Sequence, residues 1–253
     1  MTTSYSHAIN TLLSSHEEPN DLVVMRVSTR AKRLIFKSSL KKGVEIVVPR
    51  GANLSWVLGV AEKKIPWITS AQQRVREGRK QLNPRQIELT ALGKTWTVIY
   101  RHVDKDTRGL VATGEQTLLV SQDPNDLFHV ALQLQQWFHE KAKASLLPWL
   151  NSLATVRRLK FNRTYVKNQV SRWGSCSEKR NINLNRNRLF IPGRLVEYVL
   201  HLELTHLDHL NHSKKFWTSF GRVLPNCRML RRELGSMNPD DIPLWASPGL
   251  DRA

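Results

Sequence analysis

His201-Leu202-Glu203-Leu204-Thr205-His206-Leu207-Asp208-His209-Leu210-Asn211-His212 is the stretch that decides how this chain is read. Around it Val196, Val199, Leu200, Leu204 and Leu207 recur at helical intervals, and Pro192 suits a first turn, so the spacing predicts a helix from there to about Leu210. Residues four apart on a helix share a face, because about 100° per residue brings the chain back within about 40° after four steps. Metal-dependent hydrolases use this in the pattern His-Glu-x-x-His, where two imidazoles hold zinc and the glutamate activates water. Glu203 and His206 stand where that pattern puts its base and second ligand. Leu202 stands at the first ligand, and the nearest imidazole, His201, comes one residue early.

On the C-terminal side, Asn211 can end this helix. Ser213 can cap a second helix through about Val223, and Pro225 precedes a short helical piece from Cys227 to Leu234. On the N-terminal side, strand-like pieces from Leu159 to Val166 and from Asn181 to Leu184 flank Ser171-Arg-Trp-Gly-Ser-Cys-Ser177, where Gly174 signals a bulge or a tight approach. Asp123-Pro124 starts a long helix, Asn125 to Leu150, which Pro148 ends or bends. Farther upstream, Trp96 to Tyr100 and Thr117 to Val120 read as strands separated by turns at Gly109 and Gly114. Leu22 to Val27, Arg33 to Lys37 and Val44 to Val48 predict a small antiparallel sheet, and Leu54 to Arg76 a helix divided at Pro66.

The chain has 253 residues, 40% of them hydrophobic, enough for a sizeable core. No apolar run approaches the about 20 residues of a membrane-spanning helix, so no membrane partner is expected. Two distant cysteines and no secretory-type leader point to the cytoplasm. The net charge is +18. Arg26 to Arg50 holds eight basic residues and one acid, a net of +7; Arg157 to Arg194 holds eleven and one, a net of +10. Clustered positive charge suits nucleic acid or another polyanion. No aromatic-basic RNA motif or helix-turn-helix pattern accompanies it, so a merely solvated basic surface stays open as well. The sequence sets no oligomeric state.

A wider set of residues resembles one family. Arg172-Trp-Gly-Ser-Cys-Ser177, Asn183-Leu-Asn185, Pro192, Tyr198-Val199, His206, Asn211-His212-Ser213 and Phe216-Trp217 are similar to motifs of the YgjP-like and SprT-like zinc metallopeptidases, a gluzincin-like group of the His-Glu-x-x-His type. Arg30, Arg33, Val48-Pro49-Arg50-Gly51 and Trp67-Ile68 look like the family's leading β domain, so the resemblance runs from Leu22 to Leu234. It implies an α+β fold, with a small antiparallel N-terminal β domain and a C-terminal zincin-like domain in which the metal helix packs on a small sheet. The divisions expected are a flexible tail over 1–20, a β-rich domain over 21–122, a connecting helix over 123–156, the zincin-like domain over 157–235 and a Pro-containing tail over 236–253.

The resemblance also implies a Zn²⁺ held by two helix histidines and a third histidine six residues farther on. Carried over position by position, His206 and His212 match ligands, Glu203 matches the base and Leu202 matches nothing. His201 lies five residues from His206, about 500° around a regular helix and so about 140° off the metal face; only a π-bulge would bring it back. Arg172, in the family motif, can stabilise an oxyanion or bind a substrate carboxylate or phosphate, or can simply organise its strand. His209 reads as a polar-face residue beside Asp208, Cys176 as a small buried residue, and Trp173 and Trp217 as core. The function implied is zinc-dependent hydrolysis, foremost of a peptide or protein, impaired to whatever extent Leu202 spoils the ligand set. The alternatives are an inactive scaffold binding nucleic acid or protein, and a metal-dependent hydrolase of a nucleotide or phosphate ester.

Overall fold

Val44, Ile46 and Val48 alternate along one face of a strand and are wholly buried, as a sheet's central strand requires. The computed structural model describes residues 5, 7, 8, 11, 22–101, 109–114, 116–123, 125–169, 172–237 and 241–248. Most of the tail expected over 1–20, together with Pro124, Ser171 and part of 236–253, lies outside them. The chain divides into two compact units, 1–81 with 252–253, and 82–251.

In the first unit, β1 (Val23–Ser28), β2 (Ile35–Ser39) and β3 (Gly43–Pro49) form a sheet in the order β1-β3-β2. The antiparallel pairing expected holds for β2 with β3, whereas β1 lies parallel to β3. Residues 29–34 are long enough to step over the end of β3, about two strand spacings. Gly43, at φ 77°, closes the tight β2-β3 turn in the left-handed region, and a Cβ there would strike the Leu22 carbonyl. Helices α1 (Leu54–Glu62) and α2 (Ile65–Lys80) follow. Asn53 caps α1 by accepting from the Trp56 amide at 3.1 Å, and Pro66 in the first turn of α2 divides the two as the sequence predicts. Val57, Ala61, Ile65, Ile68 and Ala71 cover the sheet's buried face. Tyr5, inside the stretch expected as tail, joins that core and donates its hydroxyl to the Ala52 carbonyl.

In the second unit, β4 (Gln86–Leu89), β5 (Lys94–Arg101), β6 (Gly109–Thr113) and β7 (Thr117–Ser121) form a sheet in the order β4-β5-β7-β6. Helix α3 (Leu127–Val156) buries Leu134, Phe138, Ala142, Leu146, Leu150 and Ala154 along one stripe. It continues past Pro148 to Val156, because burial of Leu150 and Ala154 offsets a missing backbone bond worth about 3 kcal/mol. A second sheet of β8 (Thr164–Lys167), β9 (Gly174–Cys176) and β10 (Ile182–Asn185) has the order β8-β10-β9. Helices α4 (Gly193–Thr205), α5 (Lys214–Val223) and α6 (Cys227–Gly235) complete the unit, with α4 packed on β9, α3, α5 and α6. Helix α4 stops at Thr205, earlier than its apolar spacing predicts. The amides of Leu207 and Asp208 turn back to Leu204 and Thr205, tightening the last turn.

The Pro-containing C-terminal stretch is anchored where it is described. Trp245 is 1% exposed between Phe138 and Phe190, and Gln135 and Arg186 donate to the carbonyls of Trp245 and Ala246. Among the described residues no helix is long and apolar enough to cross a membrane. The fold is α+β throughout, small sheets with helices, consistent with a zincin-like domain.

Candidate metal centre

Glu203 points inward from α4 and is 3% exposed, its Oε1 lying 4.0 Å from Nη2 of Arg188. Arg188 comes from the turn Arg186–Phe190 and is completely buried. None of its three side-chain nitrogens has a hydrogen-bond partner among the described residues, nor does Glu203 Oε2. Burial pushes the Glu203 carboxyl up to about 7, against the pull of Arg188, and brings the Arg188 guanidinium down to about 10. Gly174 in β9 leaves the space both side chains occupy. A Cβ there would sit 2.5 Å from Glu203 Oε1, closer still to Arg188 Nη2, and 2.9 Å from the Asn183 carbonyl. The tight approach expected of Gly174 is therefore a contact with this ion pair, made without a bulge, since β9 and β10 pair in continuous register.

His206 sits at the end of α4 and is half-buried. Its Nδ1 lies 3.0 Å from the His209 carbonyl, which can only accept, so Nδ1 carries the proton and Nε2 keeps its lone pair. His212 comes from the residue just before Ser213, whose side chain caps α5 by accepting from the Phe216 amide at 3.4 Å. The two rings lie 4.8 Å apart, and Phe216 contacts both at 4.7 and 4.8 Å. Partial burial, then the neighbouring His206 and Arg231, hold the His212 pKa below its ordinary value. Fold geometry thus brings together the two histidines that sequence spacing singled out.

The first ligand position holds Leu202. It lies one regular turn before His206, whose amide donates to the Leu202 carbonyl at 3.2 Å. No π-bulge interrupts α4, so His201 stays off the metal face. Its Nε2 lies 3.7 Å from Glu197, its carbonyl accepts from Arg157 and from the Thr205 hydroxyl, and its burial holds its pKa low. Among the described residues no three of His, Cys, Asp and Glu stand close enough to hold one ion. A hydrolytic zinc takes three protein ligands and leaves a fourth position for water. The donors present offer two, with the carboxylate turned to Arg188, and so do not fit such a site.

Arg172 is exposed, and its side chain makes no hydrogen bond or ion pair among the described residues; its carbonyl accepts from Asn185 at 2.9 Å. Cys176 is half-buried, and burial raises its thiol to about 11, which leaves it unreactive. Trp217 is not a core residue: it is half-buried and lines a surface pocket with Arg228, Arg231 and Arg232. Arg188 escaped the sequence reading. Its one signal is a charge opening the otherwise apolar run Leu189-Phe190-Ile191.

Four of the eleven basic residues from Arg157 to Arg194 are tied into the fold. Arg157 donates to His201 and Thr205, Arg180 to the carbonyls of Lys160 and Leu207, and Arg186 to Gln135 and Ala246, while Arg188 is buried. Two of these charges, Arg186 and Arg188, lie away from the surface that a partner could meet.

No curated protein matches the chain. Compared with protein families, residues 32–237, more than half of the chain and including β9, Arg188 and all of α4, match the YgjP-like metallopeptidase domain. A match of this breadth, covering the helix that bears Glu203 and His206 and the sheet it packs on, shows that this chain belongs to the YgjP-like metallopeptidase family.

Proposed function

We propose that this chain is a binding module on a metallopeptidase fold and does not itself hydrolyse peptides. The observation that carries the reading is Leu202, one regular turn before His206, where a ligand with a lone pair would have to stand. The Glu203 carboxylate supports it too, being spent on a fully buried arginine that needs a counter-charge. The excess of basic residues suits an anionic partner. Both cysteines are free thiols, which suits the reducing cytoplasm as the place of work.

A second reading, a zinc peptidase that holds its ion with His206, His212 and a non-protein ligand, is favoured by one observation: the His206 lone pair beside His212. Zinc bound there would polarise a carbonyl and activate water. Cleavage of an unstructured peptide by the wild-type chain and by Leu202→His, each with added zinc, separates the two. The binding-module reading expects no zinc-dependent cleavage by the wild type. Cleavage by the wild type that a chelator abolishes would overturn it.

A further inference from the structure

Trp217 on α5 and Arg228, Arg231 and Arg232 on α6 line an open pocket of about 670 Å³. The three arginines stand at i, i+3 and i+4, a spacing that puts them on one face of α6. Arg231 lies over the Trp217 ring, 4.8 Å from its centroid. Stacking of this kind fixes the guanidinium plane and leaves its N–H edge available to an anion. Glu233 is the sole acid between Ser213 and Gly235, against six basic residues, and it is bound to Arg194. Among the described residues none of Arg228, Arg231 and Arg232 has an ion-pair partner, and Arg228 and Arg232 are exposed. Three guanidiniums thus converge on one pocket with their charge unneutralised.

We propose that this pocket binds the phosphate backbone of a single-stranded nucleic acid, a partner for the module proposed above and resting on that reading. The guanidinium fork matches phosphate oxygens two at a time. Trp217 with Arg231 over its ring supplies the aromatic and guanidinium surfaces that an unpaired base uses and an acidic peptide does not. Duplex would present its bases already stacked on one another, leaving these planes without a partner. The pocket adjoins the histidine pair, with His212 5.6 Å from Trp217, so a bound strand would pass the open side of the inherited site.

The test uses the full chain and a fluorescently labelled oligothymidylate, followed by anisotropy across a salt series. Arg228→Gln/Arg232→Gln removes two exposed side chains that have no ion-pair partner among the described residues. The double variant is expected to bind about tenfold more weakly or worse. Its slope of log affinity against log salt should be shallower by about 1.4, as expected when two fewer phosphates of a single strand are neutralised. Unchanged affinity and slope would overturn the site. Equal displacement of the strand by polyglutamate at matched charge would overturn the nucleic-acid assignment. Neither readout involves zinc or cleavage, so failure here is distinguishable from failure of the non-hydrolytic reading.

Discussion

Glu203 and His206 are three residues apart on one helix, yet they live in opposite surroundings. Glu203 is sealed beneath Gly174 against a wholly buried arginine, whereas His206 stands half-open at the helix end beside the exposed His212. The inner half is a piece of core whose disruption should cost stability. The outer half is a surface. Leu202, next to Glu203 in the chain and one turn before His206, stands between the two halves with a side chain that has no lone pair to give. The contrast shows that neighbouring residues of one motif can serve different ends, one as packing in the core and the other as a group at the surface.

The largest effect should come from breaking the inner half. Arg188→Met alone leaves the buried Glu203 carboxylate without its counter-charge and should cost about 3–5 kcal/mol, whereas Arg188→Met with Glu203→Leu should recover much of it. Denaturant melts of the two variants check this, and a cost-free Arg188→Met would remove the contrast.

The same pair sets a pH dependence. The folded-state carboxyl of Glu203 is raised to about 7 from an ordinary value of 4.5, so between those values the folded chain binds more protons than the unfolded one. Its contribution should be fullest below pH 4.5 and fall by about 3 kcal/mol as pH rises to 7, levelling off above. A urea midpoint measured against pH should show this slope in the wild type and not in Glu203→Gln. Gly174→Ala should be milder, about 1–3 kcal/mol, because the added methyl forces the pair and the Asn183 carbonyl aside. The smallest effect belongs to the outer half: His206→Ala and His212→Ala should each shift metal-free stability by about 0.5 kcal/mol, read by the same melts. A drop of several kcal/mol at His212 would make the outer half structural as well.

Helix α4 and the cap at Ser213 were legible in sequence, because an apolar period and a capping residue are local, whereas His212 beside His206, six residues on and past the helix end, was expected from the family's spacing. The strand-rich stretches were legible too, but not the parallel place of β1, since side-chain alternation says nothing about which strand lies beside which. The ion pair was hidden for a different reason: Arg188 and Glu203 meet only when β9, the turn after β10 and α4 converge. The pocket on α6 was hidden by arithmetic. Counting charge drew attention to Arg157–Arg194, where the fold absorbs arginines, and away from Arg228, Arg231 and Arg232, which it leaves exposed or unpaired.

Zinc binding by wild type and Leu202→His, titrated side by side against a chromophoric chelator, tests the central claim most directly. The incomplete ligand set predicts no stoichiometric zinc on the wild type and a marked gain in affinity when the third imidazole is restored beside His206 and His212. Stoichiometric, tight zinc on the wild type, unchanged by Leu202→His, would contradict it.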